Sequence, residues 1–183
     1  MNEEIQTALE FAVKAHAGQI RKNTKLPYIV HPVAVMTLIG EWGITCPVMW
    51  AAALCHDILE DCPHISLNDL QNAIGVSATK IVQELTFLHD PAKPKKPQKI
   101  LYMKSFDKKS LEAVVLKVAD RLKNTHDFLL ESPDYAYKYF KEAEDVISQL
   151  VSRRSEIEEK YGLDAYILMR YSITTIVGML TKK

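Results

Sequence analysis

The segment CHDILED at positions 55–61 constrains this chain most, because four ligand or proton-transfer groups follow an apolar run, WAAALC at 50–55, directly. His56 and Glu60 are four residues apart, as are Asp57 and Asp61, so a continuous helix would place each pair on one face. Charged side chains are rarely buried without a partner or a metal ion. From these residues alone, a functional site and a solvated acidic helix end are both open.

The composition predicts one soluble domain over residues 1–183, with 48% hydrophobic and 25% charged residues. The formal net charge of zero argues against a nucleic-acid partner and against binding to an anionic membrane. The three cysteines fit no zinc-ligand spacing, and the N-terminus lacks signal-peptide features, so we expect a cytoplasmic protein. No apolar run is long enough to span a bilayer. Assembly into a homo-oligomer is left open by the sequence.

The spacing of apolar residues predicts an all-α fold without strands. The predicted helices cover about 2–18, 32–43, 45–57, 66–75, 77–85, 110–124, 132–139, 143–160 and 163–180. The lysine- and proline-rich stretch at 90–97 is predicted to be a mobile loop.

Further polar residues follow apolar segments in the same way as His56 and Asp57. His31 lies where a loop meets a helix, and Asp120 ends an apolar helical run. Asn124 and Asp127 share the helix face of Asp120. If the two helices pack together, His31, His56, Asp57 and Asp120 can converge on one Mn²⁺, Fe²⁺, Co²⁺ or Zn²⁺ ion. Taken singly, Asp120 could equally be an ordinary salt-bridge partner.

Four segments in order carry a resemblance to a known family. They read AHAGQIRK at 15–22, PYIVHP at 27–32, ALCHDILED at 53–61 and KVADRLKN at 117–124. The chain resembles the HD-domain metal-dependent phosphohydrolases, which have an all-α helical-bundle fold. It is most similar to the RelA/SpoT-type hydrolase domains and to the stand-alone small alarmone hydrolases, which include the metazoan SpoT homologue.

The resemblance implies a divalent metal, most often Mn²⁺ in this family, and a nucleotide substrate. The implied metal ligands are His31, His56, Asp57 and Asp120. Glu60 and Asp61 match the acidic pair that orients or deprotonates the attacking water. The implied nucleotide-binding residues are Arg21, Lys22, Asn124 and Asp127. The implied reaction is hydrolysis of the 3′-pyrophosphate of ppGpp or pppGpp, a reaction of the stringent response.

The sequence departs from the family pattern in three places, of which the stretch at 91–99 bears on substrate choice and Cys62 on packing. Cys62 replaces a threonine, the segment after Thr86 lacks a charged residue found in the family, and the stretch at 91–99 does not align. Dephosphorylation of another nucleotide, such as NADPH, is therefore an alternative activity, and a non-catalytic nucleotide sensor is another. The chain has no room for a synthetase domain, so we expect a hydrolase only.

Overall fold

The computed structural model describes residues 2–22 and 24–181, and its secondary structure there is helical apart from an isolated bridge between Ile20 and Pro27. The helices are α1 (Glu3–Ala15), α2 (Val30–Glu41), α3 (Pro47–Cys55), α4 (Ile58–Asp61), α5 (Leu67–Leu85), α6 (Lys95–Lys104), α7 (Leu111–Leu129), α8 (Pro133–Lys141), α9 (Glu144–Ser152), α10 (Arg154–Tyr161) and α11 (Leu163–Thr181). A 3-10 helix at Ser105–Lys108 joins α6 to α7. The all-α prediction is confirmed.

Polar caps start several of these helices. The Asn2 side chain accepts a hydrogen bond from the amide of Glu4 at the start of α1, and Ser110 caps α7 in the same way. Ser66 and Asp69 form a reciprocal capping box at the start of α5. These caps fix the helix starts that the sequence predicted near 2, 66 and 110.

Helices α3 and α7 form the centre of the fold and bring the predicted site residues together. α3 packs against α1, α2, α5 and α7, while α7 also contacts α2, α8, α9 and α11. The alanines of α3, Ala51, Ala52 and Ala53, are buried, which lets α1 approach closely. The polar end of α3 therefore meets the middle of α7 and the start of α2.

The predicted helices are wrong in three places, which are the end of α3, the stretch around Lys95 and the position of Arg153. The helix of the central segment ends at Cys55, and His56 and Asp57 form a turn before α4. The His56 ring bonds the carbonyl of Ala53 at 2.7 Å, a side-chain contact that competes with continuation of the helix.

The stretch predicted as a mobile loop already becomes helical at Lys95, and the predicted helix at 143–160 is divided at Arg153. By contrast, the predicted break at Gly75 is present, because its φ of 77° interrupts α5. Among the residues that the structure describes, no helix has both the length and the apolarity to cross a membrane.

Candidate metal centre and active site

Four predicted ligands converge from α2, the α3–α4 turn and α7. The Nε2 atom of His31 lies 3.2 Å from Oδ1 of Asp120 and 3.7 Å from Oδ2 of Asp57. The Nε2 atom of His56 lies 3.0 Å from the same Asp57 oxygen and 3.8 Å from Asp120 Oδ1. Ligand atoms of His31, His56 and Asp57 all lie within 4.8 Å of one another. Two imidazoles and two carboxylates therefore surround one small space.

His56 is oriented so that one nitrogen faces this space. Its Nδ1 donates to the Ala53 carbonyl, so Nε2 is the ring nitrogen that faces the carboxylates. Nε2 is buried and forms no hydrogen bond of good geometry with the described residues, although Asp57 Oδ2 lies 3.0 Å away. A divalent cation can replace the proton of such a nitrogen and bind both carboxylates, so the donor set fits a metal ion.

Asp57 and Asp120 are each held by a further residue. The hydroxyl of Tyr28 donates to Asp57 Oδ2 at 2.7 Å. Lys117 places its Nζ atom 3.0 Å from Oδ2 of Asp120, and Asn124 donates to the other oxygen, Oδ1, at 2.5 Å. These neighbours fix the carboxylates before any ion binds, which lowers the entropy lost on binding.

The charges of the cluster favour a cation at its centre. Burial lowers the pKa of His56, but the carboxylates of Asp57 and Asp120 raise it more, to about 10. Burial raises the pKa of Asp120, whereas Lys117, His31 and His56 lower it more strongly, well below its ordinary range. Both carboxylates are therefore ionised at neutral pH and stabilise positive charge between the two histidines.

The acidic pair follows the cluster on α4. Glu60 accepts a hydrogen bond from the amide of Phe87 at 2.6 Å, which joins it to the end of α5. Its side chain remains exposed to solvent, although the protein packed around the carboxylate raises its pKa. Burial likewise raises the pKa of Asp61. A carboxylate with a raised pKa that water can reach has the properties of a general base.

Arg21 is locked into the wall of a neighbouring cavity. It is only 7% exposed, and its Nη2 atom donates to Asn124 Oδ1 at 2.9 Å and to Asp127 Oδ2 at 2.6 Å. These contacts hold the guanidinium in the wall beside two other predicted nucleotide-binding residues, and the role of Arg21 in nucleotide binding stays a prediction. Lys22, in contrast, is exposed and can meet a phosphate.

This cavity has a volume of about 570 Å³ and brings most of the predicted nucleotide-binding residues together. Phe128 and Tyr135 also line it, with ring centroids 4.7 Å apart and planes nearly perpendicular. Neither ring was predicted from the sequence to belong to this site, although Phe128 lies one helical turn after Asn124 and Tyr135 lies just after the cap residue Ser132. A larger cleft of about 970 Å³, between α3, α5 and α10, includes none of the predicted site residues.

The unaligned stretch at 91–99 reaches the same side of the molecule through its last residue. Lys99 pairs with Glu142 at 2.7 Å and lies 5.5 Å from the centre of the Tyr139 ring. The buried Arg121 stacks on the same Tyr139 ring, with its guanidinium carbon 3.4 Å from the ring centre. The two cations thus hold α8 against α6 and α7.

Comparison with known families agrees with this fold and this cluster. The family of HD domains matches residues 8–157 of the chain. The chain therefore belongs to the HD domain family.

Several characterised relatives are similar over most of their length. The chain is 33% identical to the guanosine-3′,5′-bis(diphosphate) 3′-pyrophosphohydrolase MESH1 of Xenopus tropicalis, covering 85% of this chain and 89% of that protein. The human MESH1 protein is 31% identical, and the match again covers 85% of this chain and 89% of that protein. A solved structure of a metazoan SpoT orthologue, described as hydrolysing ppGpp, superposes with a TM-score of 0.76 and 25% identity, covering 96% of both chains.

Proposed function

We propose that this protein is a metal-dependent hydrolase that removes the 3′-pyrophosphate from ppGpp or pppGpp. The products are GDP or GTP and pyrophosphate. The relatives from Xenopus tropicalis and human are named for this reaction and align with 85% of the chain. Mn²⁺ as the resident ion, the cytoplasm as the compartment and residues 1–183 as one domain are parts of the same proposal.

One observation carries the proposal most directly. Two imidazoles and two carboxylates from three separate parts of the chain face one another, with each Nε2 atom within 4 Å of both carboxylates, and an acidic pair follows one turn later. Nδ1 of His56 bonds the Ala53 carbonyl, so its Nε2 is the nitrogen left for an ion. This donor set suits a hydrolytic metal centre.

The residues of the chain have distinct roles in this proposal. His31, His56, Asp57 and Asp120 would hold the ion, which when bound polarises a phosphoryl oxygen and lowers the pKa of water. Glu60 takes a proton from the attacking water, whose oxygen forms a bond to the phosphorus next to the 3′ oxygen. The bond between that phosphorus and the 3′ oxygen breaks, and the 3′ oxygen takes a proton from solvent and leaves as a hydroxyl, while Glu60 returns its proton to solvent. Asp61 orients the water.

The adjoining cavity is proposed to hold the nucleoside. The exposed Lys22 supplies a positive charge for a phosphate, while Arg21 keeps Asn124 and Asp127 in fixed positions along the wall. Phe128 and Tyr135 present aromatic surface in the same cavity. A purine with charged phosphates matches a cavity that combines rings with a lysine.

The test is a turnover assay on metal-stripped protein with and without Mn²⁺. The panel contains ppGpp, pppGpp, NADPH, GTP and a 5′-monophosphate, with products resolved by ion-exchange chromatography. We expect GDP and pyrophosphate from ppGpp only when metal is present. Turnover of NADPH with ppGpp left intact would move the activity to the alternative nucleotide. Metal binding without any turnover would favour the nucleotide sensor.

A further inference from the structure

We infer that Gln19, held in place by His16, is a positioning residue that fixes the short α4 turn carrying Glu60 and Asp61. The inference deepens the proposed function, on which its kinetic consequences rest. Both residues belong to the AHAGQIRK segment, yet the proposed mechanism assigns neither of them a role. The contacts that support the inference join three parts of the chain.

The α4 helix is too short to be stable without contacts from the rest of the protein. It has only four residues and no side-chain cap at its N-terminus. A single helical turn is unfavourable in isolation, since few hydrogen bonds repay the ordering of its backbone. The carbonyls at its end also need partners from outside the helix. External contacts must therefore set the position of the acidic pair.

Gln19 supplies one of these external contacts. Its Nε2 atom donates to the backbone carbonyl of Asp61 at 2.9 Å, across 42 positions of sequence. The backbone of Gln19 is itself fixed, because its amide donates to the His16 carbonyl and its carbonyl accepts from the Tyr28 amide, each at 3.0 Å. From the other side, the Phe87 amide bonds the Glu60 carboxylate. The acidic turn is thus held between two anchors.

His16 fixes the direction in which the Gln19 amide points. Because Nε2 of Gln19 donates to Asp61, its Oε1 atom must face His16, where it lies 2.8 Å from Nδ1. Nδ1 of His16 therefore carries the proton and donates to Gln19. The ring itself is 3% exposed and stacks on Tyr28, with centroids 4.7 Å apart.

The other ring nitrogen of His16 supports this assignment. Nε2 is buried and has no hydrogen-bond partner among the described residues. An unpaired buried acceptor is unfavourable and rare in native proteins. Its presence indicates that the bond from Nδ1 to Gln19, together with the stack on Tyr28, determines the ring position. Tyr28 in turn donates to Asp57, so the same group reaches the metal cluster.

Hydrogen exchange tests the positioning without any substrate. Gln19→Met keeps the length of the side chain but cannot donate to Asp61, and Gln6→Met is the matched control on the exposed face of α1. The loss of one neutral hydrogen bond corresponds to about fivefold faster exchange of the amides at 58–65. We expect this change in Gln19→Met and none in Gln6→Met.

A double-mutant cycle tests the partnership between His16 and Gln19. His16→Phe retains an aromatic ring against Tyr28 but lacks the Nδ1 proton. Residues that act as one unit give non-additive effects. We therefore expect His16→Phe with Gln19→Met to exchange no faster at 58–65 than Gln19→Met alone. Additive acceleration in the double variant would contradict the role given to His16.

Kinetics and metal binding separate this inference from the proposed function. In Gln19→Met we expect kcat for ppGpp to fall by about tenfold, because small displacements of a catalytic group lower turnover steeply. Mn²⁺ affinity should remain within about twofold, since the four proposed ligands are untouched. Unchanged exchange at 58–65 in Gln19→Met overturns the positioning role even if ppGpp is hydrolysed. If wild-type protein leaves ppGpp intact, the proposed function fails while the exchange experiment still decides the positioning.

Discussion

Lys117 and Asp120 form a buried ion pair, with Nζ of the lysine 3.0 Å from Oδ2 of the aspartate and only 11% and 6% of their side chains exposed. The pair occupies one oxygen of Asp120 and leaves the other directed at His31. If Asp120 binds the ion, as proposed, Lys117 restricts it to a single oxygen. It also places a cation near Glu60, whose pKa it lowers against the effect of burial.

Removing the Lys117 charge should destabilise the protein most when metal is absent. Lys117→Met leaves Asp120 buried without its partner, and breaking such a pair costs about 3 kcal/mol of unfolding free energy. An added divalent ion should restore part of this loss by providing a replacement charge. Urea unfolding in EDTA and in Mn²⁺ measures both effects, with the exposed Lys14→Met as control. Equal stability of Lys117→Met and wild type in EDTA would contradict the prediction.

Substitution of a predicted ligand should abolish metal binding. His56→Ala and Asp57→Asn each remove one donor from the group within 4.8 Å, so we expect loss of bound Mn²⁺ by calorimetry and loss of turnover. The increase in melting temperature that Mn²⁺ gives the wild type should also disappear. His64→Ala, which changes an exposed histidine, should behave as wild type. Activity retained in His56→Ala would exclude the assigned centre.

The role of Glu60 can be separated from metal binding. Glu60→Gln keeps the oxygen that accepts from the Phe87 amide but cannot take a proton from water. We expect turnover to fall by about 10²- to 10⁴-fold, the range for loss of a general base. Mn²⁺ affinity should change little, as calorimetry can establish. A parallel loss of metal would mean that Glu60 is a ligand.

Arg21 and Lys22 should give different phenotypes although they are adjacent. Arg21→Met removes the contacts to Asn124 and Asp127, so we expect a lower melting temperature together with a higher KM. Lys22→Met changes an exposed side chain, so it should raise KM without changing the melting temperature. Steady-state kinetics with thermal unfolding tests both variants. If wild type, Arg21→Met and Lys22→Met melted at the same temperature, Arg21 would have no structural role in the cavity wall.

Lys109 should make stability depend on pH in the alkaline range. Its ammonium lies 4.1 Å from the centres of the Tyr102 and Phe106 rings. Burial and the nearby Lys117 lower its pKa from 10.5 to about 8. Between these values the unfolded chain keeps a proton that the folded chain has lost, so this lysine makes stability rise with pH.

Lys109→Met removes that dependence. The variant should exceed wild type in unfolding free energy by more at pH 7 than at pH 10.5, as measured by urea unfolding at both values. Comparing the two proteins at each pH cancels the titration of all other groups. A stability difference that stays constant across this range would rule out the lowered pKa.

The fold class could be predicted from the sequence because helical periodicity is a local pattern. The convergence of the four candidate ligands is a contact between distant segments, and it could be predicted because four ordered segments resemble a known family. The helical period marked α3 and α7, and each carried polar residues directly after an apolar run. The ordered segments identified the family, which the match over residues 8–157 confirms. The roles of individual residues in metal binding and catalysis stay predictions.

Other features depended on contacts between distant segments and could not be predicted. The break at His56 arises from its own bond to Ala53, which overrides an otherwise helical pattern. The burial of Arg21 requires Asn124 and Asp127, more than a hundred positions away, to lie opposite it. The helical start at Lys95 lies among prolines and lysines, a composition that favours a loop.

The contact between His31 and Asp120 spans 89 positions of the chain. An ion held between them would act as a covalent-like cross-link, closing a loop that includes most of the core helices. Because the ligands come from distant parts of the chain, the ion would bind the folded arrangement and not the unfolded chain, so its binding free energy would add to the stability of the fold. Chelation would then loosen the connection between α2 and α7 as well as remove the reactive centre.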